Sequence, residues 1–572
     1  MLPLAAQADN HQLYNAKAVE ALGAGKVVEQ KDCVNKDCVN KDCVNDDVTK
    51  LVEAWQGFLD QTEREQASQA AKTQSPAGAA DLCVHELENF LATRVLDKGL
   101  KIAEEGVFKM AEAKAHLHFM GIGGIGMSAL ARWFAADGYQ VSGCDQSESQ
   151  EVAALRAEGI EIAIGHHPAH LDSVDWLIST MAIGPSNAAE IEAAKQKGLR
   201  SLKRIELLAE LFNLRKSIGI TGTHGKSTTT GMTAQIFRHS DSSASLLIGA
   251  HLPAIASNVY YGQGEYLVAE VDESDPGFSL LASDIAVVTN LEADHIAGPY
   301  QERRNYHASF EDLLAIMHSF SNKAETLLYC VDWAILKELA QGHPHAVSYG
   351  KAAEADYHLG EIDLRAEASS FNFYYPLAKE PIRVELAVIG EHNVMNAGAS
   401  LAVAHLCGLD LFQAAKALAS FQGVGRRFEK KGVFKGALIV DDYAHHPTEI
   451  RATLEAAKRT GRRVRAILQP HRYVRTAQLW PEIAEAASLA DEILVLDIYG
   501  SNESPIEGIS SALIVDKLKK LGAEVSYHSL DSAAAYLLSS VKANDLVITL
   551  GAGDVWKVSQ TILAAKFEEL GS

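Results

Sequence analysis

Residues 218–230 read Ile218-Gly-Ile-Thr-Gly-Thr-His-Gly-Lys-Ser-Thr-Thr-Thr230. The stretch leaves an apolar, strand-like segment, turns on two glycines and enters a segment that is compatible with a helix. Backbone N–H groups of such a turn bind phosphate oxygens, while Lys226 supplies positive charge and Ser227 a hydroxyl for Mg²⁺. The strict phosphate-loop pattern would place its first glycine at Ile220. We predict a nucleoside-triphosphate site here, with an ordinary strand-to-helix connection as the alternative.

Length and composition limit the class of protein. With 572 residues, the chain is too long for one core and predicts three or four domains of ~100–200 residues each. The net charge of −22 argues against a general nucleic-acid or anionic-membrane binder. No apolar run reaches the ~18–20 residues of a transmembrane helix. Seven cysteines, an odd number, favour free thiols and the cytoplasm.

The N-terminal region, residues 1–114, differs from the rest of the chain. The pentapeptide Lys31-Asp-Cys-Val-Asn35 occurs three times in tandem and ends at Asn45. A recent duplication in a surface loop explains it, because added loop length costs little closure entropy. The alternative is a metal site built from Cys33, Cys38 and Cys43, but this spacing lacks a fourth ligand.

A second glycine-rich turn follows at residues 118–128. Gly121, Gly123 and Gly126 form a G-x-G-x-x-G pattern, and Asp145 closes the next predicted strand about twenty positions later. This spacing predicts a Rossmann-like turn that binds a diphosphate at a helix N-terminus. Alone, the pattern would suit a nicotinamide, a flavin or any other diphosphate. Further strand and helix alternation predicts a parallel-sheet domain.

Acidic residues end two apolar strands after the phosphate loop. Glu273 follows the strand Tyr266–Glu270, and Asp294-His295 follows the strand 285–290. Because an open α/β sheet places its site at the strand ends, we predict Glu273 and His295 as metal ligands. The alternative for the acidic residues at these strand ends is helix capping, which we expect of Asp275 or Asp294.

A third block begins at Gly423. Four predicted strands end in charged residues or glycines, among them Asp441-Asp442, Gln469-Pro-His471 and Gly551-Ala-Gly553. This alternation predicts a second doubly wound domain with its site at the strand ends.

Residues from about 115 to 572 resemble the Mur ligases, and among them the members that join L-alanine to UDP-N-acetylmuramate. Eight motifs carry the resemblance, in family order and spacing: Gly121–Ser128, Gly222–Thr229, Asp272–Asp275, Asn290–His295, His392–Asn396, Arg426–Glu429, Asp441–Pro447 and Gln469–Thr476. The resemblance implies an α/β fold of three domains: a Rossmann-like UDP-sugar domain (115–214), a central P-loop ATPase domain (215–422) and a C-terminal Rossmann-like domain for the amino acid (423–572). A partial α/β extension (1–114) would precede them.

The resemblance also implies the reaction and its residues. ATP and Mg²⁺ would activate UDP-N-acetylmuramate as an acyl phosphate, which L-alanine attacks, in peptidoglycan precursor synthesis. The implied catalytic residues are Lys226, Glu273, His295, His445 and Arg472, and the implied metal ligands are Ser227, Glu273 and His295. ATP would be bound by Gly222, Thr223, His224, Gly225, Lys226, Ser227, Thr228, Asn393, Asn396 and Arg426. UDP-sugar would be bound by Gly121, Gly123, Gly124, Gly126, Met127, Ser128 and Asp145, and alanine by His445, His471, Arg472 and Arg475.

Three positions depart from the family pattern. Ser227 replaces a threonine, Ala297 replaces an aspartate after Asp294-His295, and Ala444 replaces a frequent glycine. Two alternatives to the alanine ligase stay open: a ligase that adds a recycled tripeptide to UDP-N-acetylmuramate, and an inactive sugar-nucleotide-binding scaffold.

The first thirty residues resemble another family. Leu2-Pro-Leu4, His11-Gln12, Asn15-Ala16 and Gly23-Ala24 match the C-terminal pattern of the glycosyltransferase that adds N-acetylglucosamine to the lipid-linked muramoyl-pentapeptide. This resemblance implies a transferase remnant and a fused or neighbouring cell-wall glycosyltransferase as partner.

Overall fold

A computed structural model describes residues 114–180, 188–240, 242–297, 299, 307–501 and 503–570. The predicted pentapeptide loop, the helices expected before residue 114 and the transferase resemblance lie outside these residues. Within them, three sheets follow one another along the chain.

The first sheet is wholly parallel, with strand order β3-β2-β1-β4-β5. Its elements are β1 (His116–Met120), α1 (Ile125–Ala136), β2 (Gln140–Asp145), α2 (Gln150–Ala157), β3 (Glu161–Ile164), a 3₁₀ turn (Pro168–Leu171), β4 (Trp176–Ser179), α3 (Ala188–Gln196), β5 (Arg200–Lys203) and α4 (Arg204–Leu214). The strand order reverses between β1 and β4, which is where such sheets bind ligands.

The second sheet has ten strands in the order β15-β14-β13-β12-β11-β10-β6-β9-β7-β8. The first half comprises β6 (Lys216–Thr221), α5 (Lys226–His239), β7 (Ser245–Leu252), β8 (Ser257–Tyr260), β9 (Tyr266–Glu270), β10 (Ile285–Val288), α6 (Phe310–Lys323) and β11 (Thr326–Cys330). The second half comprises α7 (Ala334–Leu339), β12 (Ala346–Gly350), β13 (Tyr357–Leu364), β14 (Ser369–Tyr374), β15 (Ile382–Leu386), α8 (Glu391–Leu406) and α9 (Leu411–Ala419).

The third sheet has the order β16-β17-β21-β18-β19-β20 and is parallel except for β16. Its elements are β16 (Glu429–Phe434), β17 (Ala437–Asp442), α10 (Pro447–Arg459), β18 (Arg463–Leu468), α11 (Tyr473–Ala487), β19 (Glu492–Val495), α12 (Ser511–Lys520), β20 (Val525–Tyr527), α13 (Leu530–Ser540), β21 (Asp545–Leu550) and α14 (Trp556–Leu570). It therefore contains the four predicted strands and two further edge strands.

Alternating side chains bury both faces of this third sheet. Val440 of β17 packs with α10, α11 and α12, whereas its neighbour Ile439 packs with α13 and α14. Apolar burial on both faces stabilises the sheet and holds the polar strand ends of β17 and β18 at one edge.

The described residues contain no helix with the length and apolar character that crossing a bilayer requires. The described cysteines Cys144, Cys330 and Cys407 are free thiols, as predicted.

Candidate functional site at the phosphate loop

The phosphate loop connects β6 to α5 through two glycines with positive φ. At Gly222 φ is +129°, and a Cβ would lie 2.3 Å from Thr289 Oγ1. At Gly225 φ is +84°, and a Cβ would lie 2.5 Å from Asn396 Oδ1. Both positions therefore require glycine, because the backbone is left-handed and neighbouring atoms occupy the Cβ position.

Helix α8 holds Asn396 against the loop. Thr229 Oγ1 donates to Asn396 Oδ1 (3.1 Å), and Ser400 Oγ donates to the Thr229 carbonyl (3.2 Å). These two buried bonds join α5 to α8 at positions one turn apart on α8. The structure thus places Asn393 and Asn396, two predicted nucleotide ligands, beside the loop.

Lys226, the first residue of α5, lies within the loop. Its Nζ donates to the carbonyls of Gly222 (2.7 Å) and Thr223 (3.1 Å) and lies 2.6 Å from Glu273 Oε2. Burial raises the pKa of Glu273 to about 7, even though Lys226 favours its charged form. The structure brings the predicted residues Lys226 and Glu273 into direct contact.

Glu270 is a site residue that the sequence interpretation did not include. Ser227 Oγ donates to Glu270 Oε1 (3.2 Å), and the Gly249 N–H donates to Oε2 (2.9 Å). Its position at the end of β9, which pairs with β6, is the signal that could have identified it.

Asp294 and His295 follow the neighbouring strand β10. Asp294 forms a buried, bidentate ion pair with Arg475 of α11, with Oδ1 3.1 Å from Nε and Oδ2 3.1 Å from Nη2. Burial opposes ionisation, but Arg475 holds the pKa of Asp294 well below its usual value. His295 Nε2 lies 3.4 Å from Arg475 Nη2, and burial lowers the pKa of His295 to about 4. Asp294 is thus an ion-pair partner, while Asp275 caps a 3₁₀ helix through the Gly277 N–H.

His224 links the loop to the third sheet. Its Nε2 lies 2.6 Å from Glu292 Oε2, and its Nδ1 lies 3.2 Å from Glu449 Oε1 of α10. Burial opposes protonation, but the two carboxylates raise the pKa of His224 to about 9. His224 is therefore a cation at neutral pH. Glu292 and Glu449 are additional site residues that the sequence interpretation missed.

A cavity of about 340 Å³ opens between the loop, α8 and α10. Its wall includes His224, Gly225, Thr228, Asn290, Trp333, Tyr349, His392, Asn393, Asn396, Arg427, Phe428 and Glu449. Aromatic walls with a few polar groups suit a flat heterocycle.

Arg427, rather than the predicted Arg426, lines this cavity. Arg426 Nε donates to Asp441 (3.0 Å), and its Nη2 donates to the Gly551 carbonyl (2.7 Å). These bonds hold Arg426 within the third sheet. Sequence spacing could not show which of the two adjacent arginines lines the cavity, because that depends on a turn of the backbone at Arg426, where φ is +58°.

The first glycine-rich loop lies between β1 and α1. The Gly123 N–H donates to Asp145 Oδ2 (2.9 Å), and the Gly121 N–H donates to the Cys144 carbonyl (2.8 Å). A Cβ at Gly126 would lie 3.2 Å from Arg204 Nη1. Gly124 caps α1, whereas the predicted ligands Met127 and Ser128 are buried within it.

The predicted alanine-binding residues lie around the start of α11. The rings of His445 and His471 are 5.5 Å apart, and His471 Nδ1 lies 3.2 Å from Arg475 Nη1. Burial lowers the pKa of His445 to about 3, so its ring is neutral. His445 Nδ1 donates to the Tyr443 carbonyl (2.9 Å), which leaves Nε2 as the acceptor nitrogen. Arg472 caps α11 with φ of +66°.

Ala297 occupies a buried position with satisfied backbone groups. Its N–H donates to the His307 carbonyl (2.8 Å), and Gln478 of α11 donates to its carbonyl (3.4 Å). Ala297 thus belongs to the contact between the central and third sheets.

Three family matches cover most of the described chain. Residues 116–216 match the Mur ligase family catalytic domain, 220–404 the Mur ligase middle domain and 426–553 the Mur ligase glutamate ligase domain. A UDP-N-acetylmuramate–L-alanine ligase from Deinococcus radiodurans is 41% identical over 79% of this chain and 94% of its own. One of the same name from Dictyoglomus turgidum is 39% identical over 80% and 97%.

Solved structures agree with these matches. A UDP-N-acetylmuramate–alanine ligase from Thermotoga maritima has a TM-score of 0.68 at 28% identity, covering 80% of this chain and all of its own. A murein peptide ligase from Psychrobacter arcticus has a TM-score of 0.59 at 25% identity, covering 79% and 98%. The shared sequence, the three successive sheets and the phosphate loop together show that this chain belongs to the Mur ligase family.

Proposed function

We propose that this protein is an ATP-dependent ligase that forms an amide between UDP-N-acetylmuramate and L-alanine. The observation that carries the proposal is the meeting of two sites. The phosphate loop contacts the third sheet through His224 and Glu449. Arg475 contacts both His471, a member of the histidine pair in the third sheet, and His295 of the central sheet. A phosphate donor and an amine could therefore bind at one junction.

ATP fits the cavity and the phosphate loop together. The aromatic wall would hold adenine, Asn393 and Asn396 would supply amide groups, and Arg427 would lie near the ribose. Loop N–H groups, Lys226 and protonated His224 would face the phosphates.

The residues around Ser227 fit Mg²⁺. Its hydroxyl contacts Glu270, and a second carboxylate, Glu273, lies buried at Lys226. Two carboxylates and one hydroxyl are the oxygen ligands that Mg²⁺ prefers. We propose that Ser227, Glu273 and His295 hold the ion, with Glu270 as a further carboxylate beside Ser227. The ion would neutralise phosphate charge when bound.

The chemistry requires activation of a carboxylate, which does not condense with an amine in water at a useful rate. A lactyl carboxylate oxygen would attack the γ-phosphorus, and ADP would leave. The alanine ammonium would lose one proton to solvent, and its nitrogen would attack the acyl carbon. The acyl C–O bond would then break, inorganic phosphate would leave with that oxygen and its electron pair, and the nitrogen would lose a second proton to give the amide. Lys226 would stabilise the transferring phosphoryl group, and fixed orientation would supply much of the acceleration.

His445 and Arg472 would orient alanine. The Nε2 atom of neutral His445 would accept a hydrogen bond from the amine, and the Arg472 guanidinium would suit the carboxylate. His471 would support His445 by ring contact. Because Arg475 pairs with Asp294, we assign it to holding α11 in place.

The UDP-sugar would bind at the first glycine-rich loop. Gly121, Gly123, Gly124 and Gly126 would present backbone to its diphosphate, with Asp145 holding the turn. We propose domain boundaries at 115–214, 215–422 and 423–572, and a cytoplasmic location.

Phosphate release from ATP tests the function. The assay contains Mg²⁺ and UDP-N-acetylmuramate, with L-alanine, glycine, L-serine or the recycled tripeptide as amine. Release that depends on L-alanine supports the proposal, whereas tripeptide-dependent release would favour the tripeptide ligase. No release with any amine would favour the inactive scaffold.

A variant pair tests the site. Lys226→Ala should abolish ADP formation with the fold retained, and Lys431→Ala, which removes an exposed lysine paired with Glu429, should not. Turnover by folded Lys226→Ala would contradict the assignment.

For residues 1–114, we propose descent from a fused cell-wall glycosyltransferase, on the sequence resemblance alone. An in-frame acceptor-domain sequence in the DNA upstream of Met1 would support this origin. An in-frame stop codon next to Met1 would contradict it.

A further inference from the structure

A largely buried cluster of histidine, cysteine and glutamate side chains lies in the first sheet, on the face opposite α1. His118 comes from β1, Cys144 from the end of β2, His170 from the 3₁₀ turn and Glu190 from α3. Their ligand atoms all lie within 4.8 Å of one another. The proposed function does not use this cluster.

We propose that His118, Cys144, His170 and Glu190 bind one divalent transition-metal ion, with Zn²⁺ as the expected occupant. Imidazole, thiolate and carboxylate are the ligands that zinc uses in proteins. With two neutral imidazoles, one thiolate and one carboxylate, the site with Zn²⁺ has no net charge, which suits its burial.

The three distances from Glu190 fit tetrahedral coordination. Glu190 Oε1 lies 3.5 Å from His118 Nε2 and 3.2 Å from His170 Nδ1, and Glu190 Oε2 lies 3.6 Å from Cys144 Sγ. Ligand atoms around zinc, with bonds of ~2.0–2.3 Å, lie roughly 3.3–3.8 Å apart. The cluster therefore needs only small side-chain movements to bind an ion.

A hydrogen-bond chain sets the tautomer of His118. His116 Nδ1 contacts the Ser173 carbonyl (2.8 Å), so it carries the proton and leaves Nε2 as an acceptor. Ser142 Oγ donates to that Nε2 (2.7 Å) and accepts from His118 Nδ1 (2.9 Å). In neutral His118, the Nε2 lone pair then faces the Glu190 carboxylate.

This arrangement leaves a polar atom unsatisfied. His118 Nε2 is buried and accepts no hydrogen bond from the described residues, and its side chain is only 3% exposed. A lone pair that faces a carboxylate is unfavourable, and a metal ion between the two atoms would remove that cost, as a proton on Nε2 also would. The bond from Nδ1–H to Ser142 is the outer support that metal-bound histidines usually have.

Cys144 connects the cluster to the first glycine-rich loop. Its carbonyl accepts from the N–H groups of Gly121 (2.8 Å) and Ile122 (3.1 Å). His166 Nδ1 lies 3.0 Å from its sulfur and would remain a neighbour of the bound thiolate. Metal binding would release the thiol proton to solvent and fix the strand end that carries this loop.

The test measures zinc in the full chain. Protein is loaded with Zn²⁺ in excess Mg²⁺, which competes at the Ser227 site, and is then desalted for metal analysis by mass spectrometry. We expect one tightly held zinc per chain, and loss of that zinc in Cys144→Ser. Loading with Co²⁺ should give a sulfur-to-cobalt charge-transfer band that Cys144→Ser lacks.

Matched variants exclude other thiols. Cys330→Ser removes another buried free thiol, and the triple variant Cys33→Ser, Cys38→Ser, Cys43→Ser removes the pentapeptide cysteines; both should retain zinc. His170→Asn changes the more exposed imidazole, so it provides a second test if Cys144→Ser does not fold. Equal zinc in the wild type and in folded Cys144→Ser or His170→Asn would overturn the proposal, as would no bound zinc in the wild type.

Discussion

At the scale of single residues, the proposed role of Gly225 in nucleotide binding can be separated from its effect on stability. Gly225→Ala adds a Cβ both in left-handed backbone and 2.5 Å from Asn396 Oδ1. Gly342→Ala has nearly the same φ, +82° against +84°, but open space around its Cβ. Both should lose about 1–2 kcal/mol of stability from backbone strain. Only Gly225→Ala should also weaken ATP binding, by at least about tenfold, or ~1.4 kcal/mol.

Calorimetric titration with a non-hydrolysable ATP analogue, together with thermal melting, measures both effects. Equal analogue affinity in the two variants would show that the Asn396 contact does not shape the site.

The adjacent arginines Arg426 and Arg427 should differ in phenotype. Arg427 lines the cavity, so Arg427→Ala should raise the KM for ATP by about tenfold, the equivalent of ~1.4 kcal/mol. Arg426 bonds Asp441 and the Gly551 carbonyl, so Arg426→Ala should lower Tm through the unpaired groups it leaves. Steady-state kinetics and melting curves for both variants separate these outcomes. A raised KM for ATP in Arg426→Ala but not in Arg427→Ala would favour Arg426 as the ATP-binding arginine.

At the scale of elements, local patterns predicted those strands whose sequence is continuously apolar. The predicted strand Tyr266–Glu270 has the bounds of β9, and the predicted strand 285–290 begins where β10 begins. The edge strands β16 and β20 were missed because each pairs with one neighbour only. In addition, β16 begins with three charged residues and β20 is only 3 residues long. Glycine spacing also predicted both glycine-rich loops, because backbone with positive φ favours glycine and the sequence shows where glycines lie.

Contacts between distant elements could not be read in this way. Glu449 meets His224 only because α10 begins beside the phosphate loop, and no local spacing encodes that approach. Glu292 meets His224 from the segment after β10, because β10 pairs with β6. The two acidic residues look like ordinary surface or capping positions in the sequence. His295, in the same segment after β10, stays a predicted metal ligand.

A buried ion pair contributes to the docking of α11 on the central sheet. Arg475→Met would leave Asp294 buried and unpaired, which should cost about 3–5 kcal/mol of stability. The double variant Arg475→Met, Asp294→Leu should recover part of that loss, because no charge remains buried. Breaking the partly exposed pair of Arg463 and Glu524 should cost less than about 1 kcal/mol.

Urea denaturation of the two single variants and the double variant gives the coupling free energy of Arg475 with Asp294. Additive losses would show that the two side chains do not act as a pair.

At the scale of the whole molecule, the ion pair of Arg475 and the His224 contacts both join the central sheet to the third sheet. They differ in their response to pH. Asp294 has a pKa well below its usual value, so the pair stays charged throughout the neutral range. His224 instead loses its proton near pH 9. Alkaline pH should therefore weaken one of the two connections selectively.

The direction of this pH effect follows from the coupling of proton binding to folding. Glu292 and Glu449 raise the pKa of His224 from about 6.5 in the unfolded chain to about 9 in the folded protein. The stabilisation is fully present below about pH 6.5 and is lost as the pH rises through about 9. It amounts to at most about 3 kcal/mol.

His224→Gln removes the titrating group with little change in size, so the Tm difference from the wild type should shrink between about pH 6 and pH 10. His239→Gln, which replaces a histidine bonded to the Gln235 carbonyl within α5, is the control for the same substitution at another histidine. A Tm difference for His224→Gln that stays constant with pH would mean that His224 holds the two sheets together by packing and not by its charge.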